Sequence, residues 1–484
     1  MRTTSRSRTP LAARNRSASR ATLLNDVHSQ LNPTLVAEVV RPRTMEEVSA
    51  AVGRAAAAGQ AVAVSGGRHA MGGQQFATGG TVISMSGMDR VLELDVGRGL
   101  VEVEAGIQWP ELIRGLHRRQ RGACTPWTIA QKQTGADRLS IGGAVAANVH
   151  GRGLRMRPFV ADVEAFTIVT AEGRAMRCSR SENRDLFRLA LGGYGLLGVV
   201  THVQLRLVRQ EKLQRLVEVV ELEDLAAAFA DRIAEGFTYG DFQFAIDNDS
   251  PRFLRRGVFS CYRPVDPATP VPDGQHVLSD AAWRELLYLA HCDKSAAFER
   301  YCAHYLQTSG QIYHSDTHQL TTYLDDYHRE LDSRSGAACR GSEMISELYV
   351  PRQRLPEFME AVADDFRRQR VNCIYGTVRL IESDDETFLA WARQPWACVI
   401  FNLHTDHSPA GLRQSADAFR RLIDRAADLG GSYYLTYHRY ARRDQVVRCH
   451  PRLPEFLQRK RAHDPEELFR SDWYVHYRRM FGIG

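Results

Sequence analysis

The sequence predicts an α+β protein built from more than one domain. Segments with apolar residues at helical spacing alternate with shorter segments in which every second residue is apolar, as in strands. Several successive strand segments are separated by short turns, which is typical of antiparallel pairing. The 484 residues exceed a typical domain of about 150 residues, and 44% apolar with 25% charged residues is an ordinary globular composition.

The first half of the chain begins its ordered pattern near Asn32. Thr44 is followed three residues later by Glu47, which has the form of a capping box, and Met45, Val48 and Val52 then recur at helical spacing. This pattern predicts a helix that begins after Thr44. Further helices are predicted at 111–120 and 185–191, and strands at 61–64, 81–85, 100–105, 163–170, 174–178 and 199–208.

The composition changes after Gln210. Residues 215–330 contain helical stretches, a proline-rich loop near Pro267 and many Tyr and His residues. Beyond them, strand and helix patterns alternate, which predicts an α+β unit with a mainly antiparallel sheet. The predicted strands are 344–350, 373–380, 398–404 and 433–437, and the predicted helices are 355–369, 411–427 and 453–463.

The charge of the chain is concentrated at its start. There are 63 Lys and Arg against 57 Asp and Glu, and six Arg without any acidic residue stand in residues 1–20. The rest of the chain is therefore neutral, which excludes a basic nucleic-acid-binding body and predicts no nucleic-acid partner. The Arg-rich segment resembles a targeting leader, and a disordered extension or an overlong start explains it equally well.

Cysteine usage and hydropathy indicate the setting of the protein. The nine Cys form no C-x-x-C pair, which predicts free thiols in a reducing, cytoplasmic compartment and neither a disulfide framework nor a structural zinc site. No apolar run approaches about 18 residues, so we expect no integral membrane segment. The sequence does not predict an oligomeric state.

One glycine motif excludes a nicotinamide-binding Rossmann unit. Gly193-Tyr-Gly-Leu-Leu-Gly198 matches G-x-G-x-x-G, which binds a dinucleotide when a strand precedes it and a helix follows. Here the predicted helix 185–191 precedes the glycines and the strand 199–208 follows them. The order is inverted, so this motif does not place a pyrophosphate at a helix N-terminus.

Two other glycine-rich segments are better candidates for a cofactor site. Ser65-Gly-Gly-Arg-His69 follows a predicted strand, and glycines there allow successive backbone N–H groups to converge on an anion. The segment from Ser140 to Gly153 contains small residues almost throughout, so a flat ring or a pyrophosphate can lie against its backbone. Either segment alone is more often a tight turn, and the two together are more specific.

In combination, these motifs resemble the vanillyl-alcohol oxidase superfamily of flavoproteins with a PCMH-type FAD-binding domain. The resemblance covers about 33–208 and 429–484, and it is nearest to the aldonolactone and alditol oxidases and to decaprenylphosphoryl-ribose oxidase. It implies a PCMH-type two-subdomain FAD-binding domain with an α+β substrate or cap domain. The expected units are a disordered basic tail (1–31), the FAD-binding domain (32–208), the cap (209–428) and a C-terminal segment returning to the FAD domain (429–484).

The resemblance implies FAD as cofactor, and it implies a covalent link from His69 to the flavin, as in the alditol oxidases. The alternative is a loop His that contacts phosphate without a covalent bond. The cofactor-binding residues expected by matching the family's motifs are Ser65, Gly66, Gly67, Arg68, His69, Ala70, Gln74, Gly135, Ser140, Ile141, Gly142, Gly143, Asn148, His150, Gly151, Val199, Val200 and Tyr434.

The same resemblance implies hydride transfer from a substrate CH–OH group to flavin N5, with a base accepting the hydroxyl proton. Tyr437 falls where the ribose oxidase has a functional Lys, and His438 is the alternative because imidazole titrates near neutrality. In a strand, adjacent residues point to opposite faces, so we expect only one of them to face the flavin. Glu347 is a third candidate, and Asn402 or His404 could complete the cavity floor.

The implied function is FAD-dependent oxidation of a small alcohol, sugar, polyol or lactone, with O2 or another redox partner as electron acceptor. Two alternatives remain open, a lipid-linked sugar oxidase and a flavin-binding redox protein without turnover. Ring-stacking candidates for the substrate pocket lie between 301 and 328, and no metal is expected. These candidates are Tyr305, Tyr313, His314, His318, Tyr323 and Tyr327.

Overall fold

The computed structural model describes residues 21–321, 324 and 327–483. The Arg-rich segment 1–20 and Tyr323, both singled out in the sequence, lie outside the described residues. Thr44 caps the first helix as predicted, because its hydroxyl accepts the N–H of Glu47 at 3.2 Å. The Glu47 carboxylate accepts the N–H of Arg43 rather than that of Thr44.

The first residues form a parallel three-stranded sheet with order β3-β5-β4 and a separate pair, β1-β2. Helix α1 covers this sheet through Val48, Val52 and Ala55, which share one buried core with Val62. The glycine loop starts where β4 ends. The elements are β1 (Thr22–Leu24), β2 (Thr34–Val36), β3 (Glu38–Val40), α1 (Met45–Ala57), β4 (Val62–Ser65) and β5 (Thr81–Ser84).

A second, antiparallel sheet has the order β10-β9-β11-β7-β6, and strands β8 and β12 pair beside it. The inverted glycine motif is confirmed in its context, since α4 precedes it and β11 follows it. The elements are β6 (Val91–Asp95), β7 (Leu100–Glu104), α2 (Trp109–Arg119), β8 (Trp127–Thr128), α3 (Ile141–Ala147), β9 (Val163–Val169), β10 (Ala175–Ser179), α4 (Arg184–Ala190), β11 (Val199–Arg206) and β12 (Val208–Arg209).

The middle of the chain builds an eight-stranded antiparallel sheet with order β16-β13-β15-β14-β18-β19-β17-β20. We call this sheet the cap sheet. Its elements are β13 (Lys212–Glu221), α5 (Leu225–Ala234), β14 (Tyr239–Phe244), β15 (Arg256–Val265), α6 (Asp280–Cys292), α7 (Lys294–Gln307), β16 (Ile312–His314), α8 (Tyr327–Ser335), β17 (Gly341–Pro351), α9 (Leu355–Gln369), β18 (Cys373–Ile381), β19 (Trp396–Asp406), α10 (Pro409–Asp428) and β20 (Ser432–Tyr433).

The two faces of the cap sheet have different roles. Phe401 of β19 packs against Phe358 and Phe366 of α9, so this face belongs to the hydrophobic core. Side chains alternate between faces along a strand, so Ile400 and Asn402 point the other way. The second face therefore carries the polar side chains described below.

The C-terminal residues return to the first sheet. The N–H of Val62 donates to the carbonyl of Leu468 at 2.7 Å, and the N–H of Arg470 donates to the carbonyl of Val62 at 3.0 Å. Phe469 joins the core beneath β4. The last elements are α11 (Arg443–Cys449), α12 (Leu453–His463) and α13 (Asp472–Phe481).

Three segments differ from the sequence-based expectations. The predicted strand 433–437 is limited to β20, because the carbonyls of Leu435 and Thr436 accept hydrogen bonds from the Gln74 side chain instead of a strand partner. Residues 22–24, within the tail for which we expect disorder, pair with β2. Much of 215–265, expected to contain helical stretches, forms the long strands β13, β14 and β15.

The described part of the chain has no helix that combines the length and apolar character required to cross a membrane. All nine cysteines are unpaired, and Cys178, Cys261, Cys373, Cys398 and Cys449 are buried.

Candidate active site

A cavity of about 660 Å³ separates the glycine loops from the polar face of the cap sheet. At one end it is lined by the loop after β4, the segment around α3 and the residues before β11. At the other end it is lined by side chains of β14, β17, β18 and β19. This size lies within the usual range of ligand pockets, about 300–1,000 Å³.

The glycine loops form a cradle that side chains would fill. A Cβ at Gly66 would lie 2.0 Å from Ser140 Oγ, and a Cβ at Gly67 would lie 2.2 Å from the carbonyl of Arg138. The N–H groups of Gly67, Arg68 and His69 make no hydrogen bond with any described residue. Three successive N–H groups without an acceptor are a site for an anion, so this loop fits the pyrophosphate of FAD.

His69 lies in this loop beside a second histidine that the sequence did not indicate. His69 Nδ1 is 2.7 Å from His28 Nε2, and both residues line the cavity. Burial lowers the pKa of His28, and it lowers that of His69 well below its usual range, so both rings are neutral. In this contact the N–H of one ring donates to the unprotonated nitrogen of the other. Asp26 holds this segment by accepting the N–H groups of His28 and Ser29.

Twelve of the predicted cofactor residues line the cavity. Tyr434 is held there by its hydroxyl, which donates to the carbonyl of Ala147 at 2.6 Å. Ser140 begins α3 and caps it by accepting the N–H of Gly143. The twelve are Gly66, Gly67, Arg68, His69, Ala70, Gln74, Gly135, Ser140, Gly142, Gly143, Val200 and Tyr434.

The other six stand behind the cavity wall, and their cofactor roles remain predictions. Ile141 and Val199 are fully buried in hydrophobic cores. The Asn148 side chain accepts the N–H of Val160 and donates to Asp384. The remaining three are Ser65, His150 and Gly151, of which Gly151 donates its N–H to the Gln131 side chain.

A buried cluster joins the loop after α3 to the cap sheet. His150 Nδ1 lies 3.0 Å from the carbonyl of Gly151, and His150 Nε2 lies 2.8 Å from Glu347 Oε1. Both ring nitrogens of His150 therefore face oxygen acceptors, which fixes the orientation of the ring beside the Glu347 carboxylate. The Tyr349 and Tyr437 hydroxyls also donate to this carboxylate, at 2.5 and 3.0 Å.

These contacts lower the pKa of Glu347 although its burial acts in the opposite direction. His150, Glu347 and Cys398 present donor atoms within 4.8 Å of one another, a spacing that a metal ion would accept. Their hydrogen bonds with one another account for the cluster without an ion. The expectation of no metal stays a prediction.

The structure separates the two neighbouring candidates for the base. Tyr437 lines the cavity, whereas His438 is buried outside it and stacks on Tyr440 with 5.3 Å between ring centroids. Burial lowers the pKa of His438 to about 4. The strand alternation expected for this pair does not apply, because the segment has left the sheet at Tyr433.

Polar residues of the cap sheet complete the cavity, and most were not singled out in the sequence. Asn402 was a candidate, and His404 lies outside the lining. The signal that could have found the others is a polar side chain at every second position of an otherwise apolar strand, as in β18. The lining residues missed are Asp241, Gln243, Glu343, Tyr375, Thr377 and Arg379.

Glu343 lies at the rim of this polar face. The Tyr327 hydroxyl donates to its carboxylate, and Asn402 Nδ2 lies 3.4 Å from Glu343 Oε2. Glu343 is half-buried and lines the cavity, and its burial raises the pKa of the carboxyl group to about 7. Of the ring-stacking candidates, Tyr305, Tyr313, His318 and Tyr327 line the cavity and His314 does not.

Comparison with known proteins agrees with this geometry. Residues 36–179 match a family described as "FAD binding domain". The chain is 24% identical over 441 residues to an L-gulono-1,4-lactone dehydrogenase of Mycobacterium tuberculosis, covering 90% of this chain and 94% of that protein. It is 22% identical to a decaprenylphosphoryl-beta-D-ribose oxidase of Mycolicibacterium smegmatis, with the same coverage.

A shorter match is more similar in sequence. A 138-residue segment is 33% identical to an L-gulonolactone oxidase of Bos taurus, covering 28% of this chain and 30% of that protein. The expected resemblance to the vanillyl-alcohol oxidase superfamily and the α+β class with a PCMH-type FAD-binding domain are confirmed.

The glycine cradle generates the first prediction. We expect Gly66→Ala to lose most of its FAD, because the new methyl group would collide with Ser140 at the start of α3. The measurement is the flavin-to-protein absorbance ratio of the purified protein. Gly53→Ala in α1 is the control, since a Cβ there meets nothing within 4 Å and a helical Gly→Ala change stabilises by about 0.5–1 kcal/mol. Full FAD content in Gly66→Ala would contradict the cradle.

The raised pKa of Glu343 predicts a pH dependence of stability. Between about pH 4.5 and 7 the unfolded protein has released this proton and the folded protein retains it, so stability falls as the pH rises. We expect Glu343→Gln to remove this loss. Its free energy of unfolding should exceed that of the native protein by about 1–3 kcal/mol at pH 8 and should equal it at pH 4. Urea unfolding at both pH values measures it, and an equal gain at both would contradict the assignment.

Proposed function

We propose that this FAD-dependent oxidoreductase oxidises a CH–OH group of a small sugar, polyol or lactone. One observation carries the proposal: a single cavity connects the N–H groups that fit a pyrophosphate to a hydroxyl-bearing side chain backed by a buried carboxylate. Bound FAD would supply the two-electron acceptor for the hydride of the carbinol carbon. The relatives named for lactone oxidation or dehydrogenation support this class of substrate.

Tyr437 and Glu347 provide a route for the substrate hydroxyl proton. Tyr437 donates its own proton to Glu347 Oε2, so its oxygen is free to accept a hydrogen bond from the substrate. As the carbinol carbon loses its hydride, the hydroxyl becomes strongly acidic and passes its proton to Tyr437, which gives its own to Glu347. A carboxylate with a lowered pKa suffices for this step, because the acidity of the hydroxyl increases as the reaction proceeds.

The surroundings of Tyr437 explain why it does not act alone. Burial and the nearby Glu347 carboxylate raise its pKa well above the usual value, so a free tyrosinate is unfavourable. Transfer to Glu347 avoids that species. His150 keeps Glu347 ionised and fixed in position before the reaction begins.

The polar face of the cap sheet holds the rest of the substrate. Asp241 Oδ1, Gln243 Oε1 and Thr377 Oγ1 are buried and have no partner among the described residues. Buried polar atoms are normally hydrogen-bonded, so three such atoms on one cavity wall indicate a ligand with several hydroxyl groups. This arrangement favours a polyhydroxylated substrate over an aliphatic alcohol.

Anaerobic mixing tests the function. We expect at least one polyol, sugar or aldonolactone to bleach the visible flavin absorbance. We expect Tyr437→Phe to slow this bleaching by about 10²- to 10⁴-fold, the range for loss of a general base. Tyr433→Phe, buried on the far side of β20, is the control. Peroxide formed on adding air separates O2 from another acceptor.

Two outcomes would count against this mechanism. If no compound of the panel reduces the flavin, the proposed function fails. If Tyr437→Phe reduces the flavin as fast as the native protein, the proton route fails and the function stands.

We also propose that His69 forms a covalent bond to the flavin. His69 lines the cavity in the loop that matches the family's attachment loop, and its unprotonated ring is nucleophilic. We expect the yellow colour to stay with acid-precipitated native protein and to wash off His69→Ala. His202→Ala, on β11 outside the cavity, should retain it. Colourless precipitate from the native protein would show that FAD is held without a covalent bond.

A further inference from the structure

Arg379 is a buried cation without a partner. It lies on β18, lines the cavity and is only 5% exposed. It makes no hydrogen bond or ion pair with any described residue, and its Nε is fully enclosed. An arginine cannot release its proton to escape burial, so the folded protein carries an uncompensated charge at this point.

The other buried basic residues of the described chain show how unusual this is. Lys132 and Lys460 are both fully buried, and each is paired with a carboxylate, Asp137 at 2.6 Å and Asp464 at 2.8 Å. Burying a charge without such a partner costs several kcal/mol. The chain thus pairs its buried lysines and leaves unpaired the one buried arginine that faces the cavity.

The nearest acidic strand residue does not compensate Arg379. The register of β14 with β18 brings Asp241 alongside Arg379, yet no ion pair within 4.0 Å joins them. The ion pair of Asp241 is with Arg152, at 3.9 Å. At this end of the cavity the described lining carries three guanidinium groups, those of Arg152, Arg215 and Arg379, against the carboxyl groups of Asp241 and Glu343, so the potential is positive.

Arg379 stands beside the atoms that would receive substrate hydroxyls. Thr377 is two residues away on the same face of β18, and Gln243 pairs with Thr377 across the sheet. Both residues present unpartnered buried oxygen atoms to the cavity. An anionic group at Arg379 and hydroxyl groups at Thr377 and Gln243 would belong to one ligand.

We propose that the substrate carries an anionic oxygen group, a carboxylate or a phosphate, which Arg379 binds in the cavity. Within the proposed class, the preferred substrate is then an acidic polyhydroxy compound, such as a sugar acid or a sugar phosphate, which reacts ahead of a neutral polyol or lactone. This inference rests on the proposed function, since it names the substrate of the same site. The planar guanidinium binds either group through two parallel hydrogen bonds.

Matched compounds test the proposal on the FAD-loaded protein. D-gluconate, D-glucitol 1-phosphate and D-glucitol share one polyol chain and differ only in the group at C1. We expect one of the two anions to exceed D-glucitol in kcat/KM for flavin reduction by about 10- to 100-fold, the usual value of hydrogen bonds to a charged group. The better anion distinguishes carboxylate from phosphate.

Variants of Arg379 connect the preference to this residue. Arg379→Met should abolish the preference for anions. Arg379→Lys should retain part of the preference, because lysine keeps the positive charge and lacks the planar pair of N–H donors. Without ligand, the Tm of Arg379→Met should equal or exceed the native value, because an unpaired buried charge has been removed. Arg368→Met, exposed at the end of α9, is the control and should change neither property.

The outcomes separate this inference from the proposed function. Equal kcat/KM for anions and D-glucitol, an unchanged preference in Arg379→Met, or loss of FAD from that variant would overturn the anion site and leave alcohol oxidation intact. If no compound reduces the flavin, the proposed function fails first. If Arg379→Met does not fold, the Tm of the native protein decides. A rise with D-gluconate or D-glucitol 1-phosphate and none with D-glucitol supports the site, and an equal Tm with all three compounds overturns it.

Discussion

The hydrogen-bonded pair of His150 and Glu347 is the contact on which the cavity depends. His150 follows α3, Glu347 lies on β17, and Tyr437 reaches the pair from the C-terminal segment, so three distant parts of the chain meet at one carboxylate. Burying such a pair is costly, and the cost is offset only where every donor and acceptor is satisfied. The hydroxyls of Tyr349 and Tyr437 complete that requirement. The cluster fixes the distance between the glycine loops and the cap sheet, and with it the shape of the cavity.

The two sides of the cavity recognise their ligands by different means. The glycine loops present backbone N–H groups, and Gly66 and Gly67 leave no room for a side chain. The cap sheet presents side chains at alternate strand positions, from Glu343 on β17 to Asp241 on β14. The backbone N–H groups fit the pyrophosphate, which every FAD contains, whereas side chains on a strand can be substituted without altering the strand. The cofactor side is therefore constrained by geometry, and the substrate side by side-chain identity.

The sequence predicted the parts of this arrangement that depend on local pattern. Helix α9 begins and ends where its apolar spacing indicated, with Pro356 in its first turn. The glycine segments were found for the same reason, whereas Tyr437 was found through the resemblance to the ribose oxidase. Strands β13 to β15 were missed because their burial does not alternate: β13 is partly buried on both faces, and β14 and most of β15 are buried on both. His28 and Arg379 could not be recognised in advance, because their importance lies in a partner or in the lack of one, and both depend on residues far away in the chain.

The return of the C-terminal segment to β4 determines when the cofactor site can form. The residues that hold Val62, at the root of the glycine loop, are Leu468 and Arg470, which are among the last of the 484 to be synthesised. Domains usually fold in order from the N-terminus as the ribosome releases them. Here β4 of the first sheet depends on residues 468–470 for its last backbone hydrogen bonds, and the cavity depends on Tyr437, so both need residues that are synthesised late. The loop that fits the FAD pyrophosphate therefore gains its last backbone contacts only after residue 470 has been synthesised, and a nascent chain that stops earlier lacks the hydrogen bonds that hold β4.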